Sequence, residues 1–289
     1  MSRRSSARIR QARLVGAAAK FVTGAAAFTT IALVAFVLGY IVYRGLPSIS
    51  WEFLTEMPKK NMTAGGIWPA IYGSMLLVFW TAVFALPIGI MAGIYLSEFA
   101  GRGRATRVIR LSIANMAGVP SIVYGLFGFA LFRILLGFDV SVLSGALTLA
   151  CLTLPVIITA TEEALRQVPQ ELRQASLALG ATRLRTIFRV VLPAAAPGVV
   201  TGSILGLSRA AGETAPILVT AVAFVAPVPQ SILDPTMALP YHLFIMATQP
   251  TKPAPHIVWG TALVLVAGVS IINVIAAAWR SRQRSKIRW

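Results

Sequence analysis

Charge is what this chain has least of. Only 12% of its 289 residues are Asp, Glu, Lys or Arg, about half the roughly 25% of an ordinary soluble domain. With 57% hydrophobic residues and a mean hydropathy of +0.77, this excludes a large water-soluble core and points to an integral membrane protein. Cysteine is nearly absent too: Cys151 stands alone in an apolar run, so no disulfide can form within the chain. The two histidines, His242 and His256, lie 14 positions apart without cysteine company, a poor set of metal ligands. No G-x-x-x-x-G-K-[ST] segment occurs, so the chain shows no P-loop with which to hydrolyse ATP alone. No internal repeat is visible, which weakens a secondary transporter built from inverted halves.

The charge that is present is lopsided, 26 basic against 9 acidic residues for a net +17. A nucleic-acid partner would use such an excess, but here the basic residues cluster between uncharged runs long enough to span a bilayer. Those runs are 21–43, 61–97, 111–132, 140–161, 190–208, 214–233 and 253–279. About 20 apolar residues cross roughly 30 Å of hydrocarbon. The interval 190–233, interrupted only by Arg209 and Glu213, reads as one helix or as two. The positive-inside rule decides for one. Six basic residues at the N-terminus, four from Arg102 to Arg110, five from Arg166 to Arg189 and five at the C-terminus then share the cytoplasmic face, leaving Arg44, Lys59, Lys60, Arg133 and Lys252 outside.

The expectation is therefore an all-α integral membrane fold of six transmembrane helices with both termini cytoplasmic. A basic tail, 1–20, precedes the first helix, 21–43, whose 23 uncharged residues suit a retained anchor better than a cleaved signal. A permease-like domain, 67–279, holds helices at about 67–97, 111–132, 140–161, 194–224 and 256–279, with a cytoplasmic loop at 164–193; a second basic tail, 280–289, closes the chain. Proline and glycine inside the spans (Pro87, Gly89, Gly118, Pro120, Pro155, Pro197, Pro216) require neighbouring helices to satisfy freed backbone groups, as in a bundle around a cavity.

The loop is the odd part: "QELRQASLALGATRLRTIFRVVLPAAAPG", residues 170–198, is basic and helical between apolar runs. Pro169 suits the first position of a helix and Glu171 its first turn. Leu172, Ala175, Ser176 and Leu179 recur at helical spacing and form one small face. Gly180 supplies a left-handed stop, Thr182 caps a second short helix, and Pro193 marks re-entry to the membrane. Such a module fits a groove on another protein or lies on lipid with its arginines at the headgroups.

Arg209 and Glu213 are four apart, so they share a helix face about 6 Å apart. A charge at mid-bilayer costs at least ~2.5–3.5 kcal/mol and so pairs or lines a polar cavity. Guanidinium matches the oxygens of an oxyanion, and a carboxylate beside it, accepting only, favours hydrogen phosphate over unprotonated sulfate. The alternative is a mutual ion pair that locks the helix to a neighbour.

Gln174-Ala175-Ser176, then Gly180, Val190, Val191, Leu192 and Pro193 resemble the loop signature of membrane subunits of type I ABC importers: Glu-Ala-Ala, three residues, Gly, nine residues, Ile, one residue, Leu-Pro. Both gaps are kept; Gln174, Ser176 and Val190 depart from it. "GVPSIVYGLFG", "GALTLACLTLPVIITATEEALRQVP", "SLALGATRLRTI" and "GLSRAAGETAPIL", with "LPYHLF" at 239–244, resemble the phosphate-specific Pst importer, its A-type permease above all. The resemblance implies a MetI-like fold in the bacterial plasma (inner) membrane and ATP-driven import of phosphate. It implies that Gln174, Ala175, Ser176, Leu179, Gly180, Ala181, Leu192 and Pro193 couple to an ATPase. It further implies as partners a C-type sister permease, a dimer of B-type ATP-binding subunits and an external S-type phosphate-binding protein, with ATP and Mg on the ATPase and no cofactor on this chain. Arg209 and Glu213 then line the phosphate pathway. Glu162 and Glu163 read as a solvated helix end, whereas Asn115, Ser121 and Tyr124 could line the path or bind neighbouring helices. Trp51, Trp68, Trp259 and Trp279 fall where interfacial aromatic belts place them. The rivals are a sulfate or molybdate permease and a non-transporting scaffold or sensor.

Overall fold

A computed structural model describes residues 3–59, 62, 64–101, 103–248 and 254–284, the side chains of 3–14, 280 and 282–284 excepted. Lys60, Arg102, Lys252 and residues 285–289 of the C-terminal tail lie outside the described residues. The helices are α1 (Arg3–Gly45), α2 (Trp51–Thr55), α3 (Trp68–Ile94), α4 (Arg104–Ala117), α5 (Ser121–Gly128), α6 (Val142–Arg166), α7 (Gln170–Ala178), α8 (Arg183–Thr186), α9 (Leu192–Gly212), α10 (Ala215–Leu218), α11 (Leu239–Thr248) and α12 (Pro255–Arg284). A two-residue hairpin pairs Pro58–Lys59 with Ala64–Gly65. Among the described residues, five helices are long and apolar enough to cross a membrane, and the bent pair α4 and α5 makes up to six spans.

The core is α6 with α3 on one side and α9 on the other. Lipid offers no hydrophobic drive between helices, so they associate by close packing at small residues. Gly89 and Gly93 of α3 lie on Ile157 and Thr161, so α3 runs parallel to α6. Gly198, Gly202 and Gly206 of α9 lie on Ala164, Ala160 and Ile157, so α9 runs antiparallel. The far end of α6 is covered by the segment between α10 and α11. Its carbonyls at Thr220, Asp234 and Ile232 accept the amides of Ser141, Val142 and Leu143, while Ser141 Oγ accepts from Ser144 N at 3.1 Å. Helix-start donors that lack a partner within the helix are thus met. His242 of α11 is buried against α12, its Nδ1 3.2 Å from Thr261 Oγ1, a packing role.

Three expected boundaries need correction. The N-terminal tail is no separate segment: α1 runs unbroken from Arg3, through a stretch without proline that is rich in the helix formers Ala and Arg. The helix expected over 111–132 is two, α4 and α5, bent by 103°. Pro120 has no N–H to donate and biases Val119 away from helical angles, so the break falls at Gly118–Pro120. Beyond α5 the chain continues as a π-helical turn, Phe129–Leu135. The helix expected over 194–224 stops at Gly212, with Glu213 extended at φ −74° and ψ 133°. Pro216 cannot donate one turn back, so the helix ends there and restarts with Pro216 in the first turn of α10.

A Cβ added at Gly202 would overlap that of Ala160, whereas one at Gly39 meets nothing. Gly202→Val should therefore cost about 1–3 kcal/mol by overpacking, seen as a lower melting temperature of the detergent-purified chain. Gly39→Ala should leave that temperature unchanged or slightly raised.

Candidate functional site

Two polar constellations break the apolar bundle. The first is the module α7–α8. Pro169 stands just before α7 rather than at its first position. Gly180 has φ +82°, a left-handed conformation that glycine adopts without strain. The amides of Gly180 and Ala181 donate to the carbonyls of Leu177 and Ser176, closing the helix. Thr182 Oγ1 accepts from Arg185 N at 3.3 Å and starts α8. A π-helical turn, Ile187–Val191, then leads into Leu192 and Pro193 of α9.

The small face read from spacing is split by the fold. Leu172 packs on the core cluster of Ile187 and Val191, and Ser176 Oγ lies 2.9 Å from Thr186 Oγ1. Gln174, Ala175, Leu177 and Gly180 are exposed, and Leu179 is 89% exposed. The surface free for a partner is therefore Gln174, Ala175, Leu177 and Leu179, with Ser176 turned inward.

Beneath the module lies a cavity of about 510 Å³, with Ser97, Glu98, Arg166, Gln174 and Arg183 among its walls. Arg173 donates to both carboxylate oxygens of Glu98 at 2.6 Å and to the Leu165 carbonyl at 2.7 Å. Glu162 Oε1 receives Arg110 at 2.8 Å and Arg166 at 2.6 Å, and Glu162 is only 8% exposed. The solvated-end reading therefore holds for Glu163, which is exposed, and not for Glu162. Neither Glu98 nor Glu162 stands out by spacing. The available signal was scarcity, since so few acids among so many arginines must sit where arginines converge.

The second constellation is Arg209 with Glu213. Arg209 follows Gly206, which lies on Ile157, by three residues in an antiparallel helix, so it stands level with Leu154, at the middle of the 25-residue α6. Its Nε is 3.3 Å from Glu213 Oε1. Glu213 sits at the negative end of the α9 dipole, an unfavourable place for a carboxylate that Arg209 in the last turn offsets. The side chains are 48% and 17% exposed. Guanidinium has five N–H donors, and among the described residues only Nε is engaged, so both amino groups remain for an oxyanion. Tyr124 is buried and donates to the Met116 carbonyl at 2.9 Å, spending its proton within the bundle. Asn115 is exposed on α4, and Ser121 is half-buried at the start of α5.

Residues 85–289 match the family model for the inner membrane component of binding-protein-dependent transport systems. The chain belongs to that family. The phosphate transport system permease protein PstA 1 of Mycobacterium tuberculosis is 44% identical over 231 residues, 80% of this chain and 75% of the relative. PstA of Mycobacterium leprae is 40% identical over 86% and 84% of the two chains, and PstA of Xylella fastidiosa 33% identical over 98% and 99%. Among solved structures, a chain of the inward-facing MetNI methionine ABC transporter aligns with a TM-score of 0.61 at 19% identity, over 75% of this chain and 97% of that one. A chain of a bacterial ABC transporter for the acidic polysaccharide alginate aligns at 0.64 and 14%, over 96% and 99%. These likenesses identify the fold as that of type I ABC importer permeases. As a binding-protein-dependent transport component, the chain works in transport across the inner membrane, and its two polar constellations sit at one end and at the middle of the bundle.

Glu162 and Glu163 separate by test. Glu162→Ala leaves two guanidinium groups without their shared acceptor and should cost about 1–3 kcal/mol. Glu163→Ala should cost under about 0.5 kcal/mol, both read as melting temperatures in detergent.

Proposed function

We propose that the chain is the permease subunit through which inorganic phosphate is imported, driven by a separate ATPase that grips the α7–α8 module. The relatives at 33–44% identity carry the name of the phosphate transport system permease. The observation that carries the cargo is the Arg209 layer: a half-exposed guanidinium with free paired donors at mid-bundle, beside a carboxylate that can only accept. Hydrogen phosphate satisfies both, giving oxygens to Arg209 and its own proton to Glu213. Sulfate has no proton for Glu213 and meets repulsion. Before cargo arrives, Glu213 holds Arg209, so the ion pair and the ligand site are two states of one device.

In this reading Gln174, Ala175, Leu179, Gly180 and Ala181 meet the ATPase, and Leu192 and Pro193 fix where the module joins the membrane. Gln174 offers amide hydrogen bonds where a carboxylate would make a salt bridge. The module and both termini face the cytoplasm. The complex adds a PstC-type sister permease, a pair of PstB-type ATPases holding ATP and Mg, and a PstS-type binding protein outside, with no cofactor on this chain. ATPase closure shifts the population between inward and outward states.

Arg209→Ala should reduce accumulation of labelled phosphate by at least about tenfold, the scale of losing hydrogen bonds to a charged group, while the complex still co-purifies. Arsenate should compete with uptake and sulfate should not. Normal uptake by Arg209→Ala removes that residue from the pathway, and sulfate competition reassigns the cargo. Retained ATP hydrolysis with no accumulation by the unsubstituted complex would make the chain a sensor instead.

A further inference from the structure

We propose that Glu98 is a positioning residue for coupling, a strut that ties the docking helix α7 rigidly to the ends of α3 and α6. The proposal rests on the reading of α7–α8 as the ATPase-docking module. Glu98 lies in the π-helical turn Tyr95–Phe99 that ends α3, and such turns recur at functional sites. Its carboxylate and the Arg173 guanidinium are 9% and 13% exposed, so the pair is shielded from solvent. Arg173 reaches it with Nη1 and spends Nη2 on the carbonyl of Leu165 in the last turn of α6. The backbone carbonyl of Glu98 accepts from Arg183 Nη2 on α8. The same guanidinium stacks over the Phe99 ring at 5.3 Å from its centroid.

One residue thus joins four elements: α3 through its own backbone, α7 through Arg173, α6 through Arg173 and Leu165, and α8 through Arg183. Removing its carboxylate unties α7 from α3, leaving Arg173 on the Leu165 carbonyl, Ser176 against Thr186 and the Leu172 packing to hold the module. From Leu165 to the level of Arg209, at Leu154, is eleven residues of α6, about 17 Å. Displacement of α7 by the ATPase therefore reaches the charged layer through both helices it is bolted to, and without the Glu98 carboxylate the α3 path is lost and the α6 link is loosened.

The test uses the full complex of this chain with its sister permease, ATPase and binding protein in liposomes. Glu98→Ala should hydrolyse ATP within about threefold of the unsubstituted complex yet accumulate at least about tenfold less labelled phosphate per ATP. Arg173→Ala should do the same, and the double variant should be no worse than either single one, since the two act as a pair. Unchanged phosphate per ATP overturns the proposal. So does a proportional fall of hydrolysis and transport with a lowered melting temperature, which marks a merely structural contact, and so do losses that multiply in the double variant. A second measurement is independent of cargo: spin labels at Glu171→Cys and Tyr95→Cys, both exposed, should keep a fixed separation through the nucleotide cycle. In Glu98→Ala that separation should change by several ångströms. A separation that already changes in the otherwise unsubstituted chain overturns the strut, even where phosphate transport fails and sinks only the cargo reading.

Discussion

The charged layer exists because α9 can lie almost backbone to backbone on α6. Gly198, Gly202 and Gly206 recur every fourth residue and meet Ala164, Ala160 and Ile157, leaving no room for a side chain between the axes. That contact fixes the rotation of α9 as well as its distance. A shift of one residue would turn Arg209 by about 100° around the helix, away from Glu213's side of the bundle. An apolar solvent does not drive such helices together, so small residues and dispersion do it. The ion pair is a passenger on that packing. Its net contribution to stability is small, because desolvating two charges costs about as much as their attraction returns.

Much of this was legible in the chain. The uncharged runs located the spans, and Gly180 and Thr182 marked the joint between α7 and α8 at the residues where the backbone turns. What failed has a common cause. Counting uncharged residues cannot distinguish a straight helix from two that meet at a proline, so α4 and α5 were read as one and α9 was extended past Gly212. Periodicity names a face without naming what covers it. Leu172 and Ser176 share the stripe with Ala175 and Leu179, yet the first pair faces the bundle and the second faces out. Glu162 looked like its neighbour Glu163 because Arg110, 52 positions away, is brought onto Glu162 by the fold and not by sequence spacing.

The two polar constellations obey one rule in opposite ways. At the module end, guanidinium groups are tied down by several acceptors: Glu98, Glu162 and the carbonyls of Leu96 and Leu165. Those arginines are held. In the Arg209 layer a single acceptor atom meets a single donor, and the rest of the guanidinium stays open. The end of α9 adds to this, since a helix stopping inside the bundle leaves carbonyls without amide partners. Irregular backbone at that depth is tolerated where protein or a cavity surrounds it. One site is densely paired and therefore rigid, although the buried Nε atoms of Arg110 and Arg173 find no partner among the described residues. The other is unsaturated and therefore receptive.

Between the rigid end and the receptive layer the helices have a soft plane. Pro155 lies inside α6 and Pro87 inside α3. The parallel register that sets Gly89 on Ile157 puts these two prolines at the same height. Each removes one backbone hydrogen bond from its helix, so both helices are weakest together, one residue from the level of Arg209. Force entering through Glu98 on α3 and Leu165 on α6 loads the same pair of helices from the same side. Stiff rods loaded at one end bend where they are softest, and that plane adjoins the layer where cargo would be held. The distance from module to charge is therefore no obstacle to coupling: the helices transmit along most of their length and yield only beside the site.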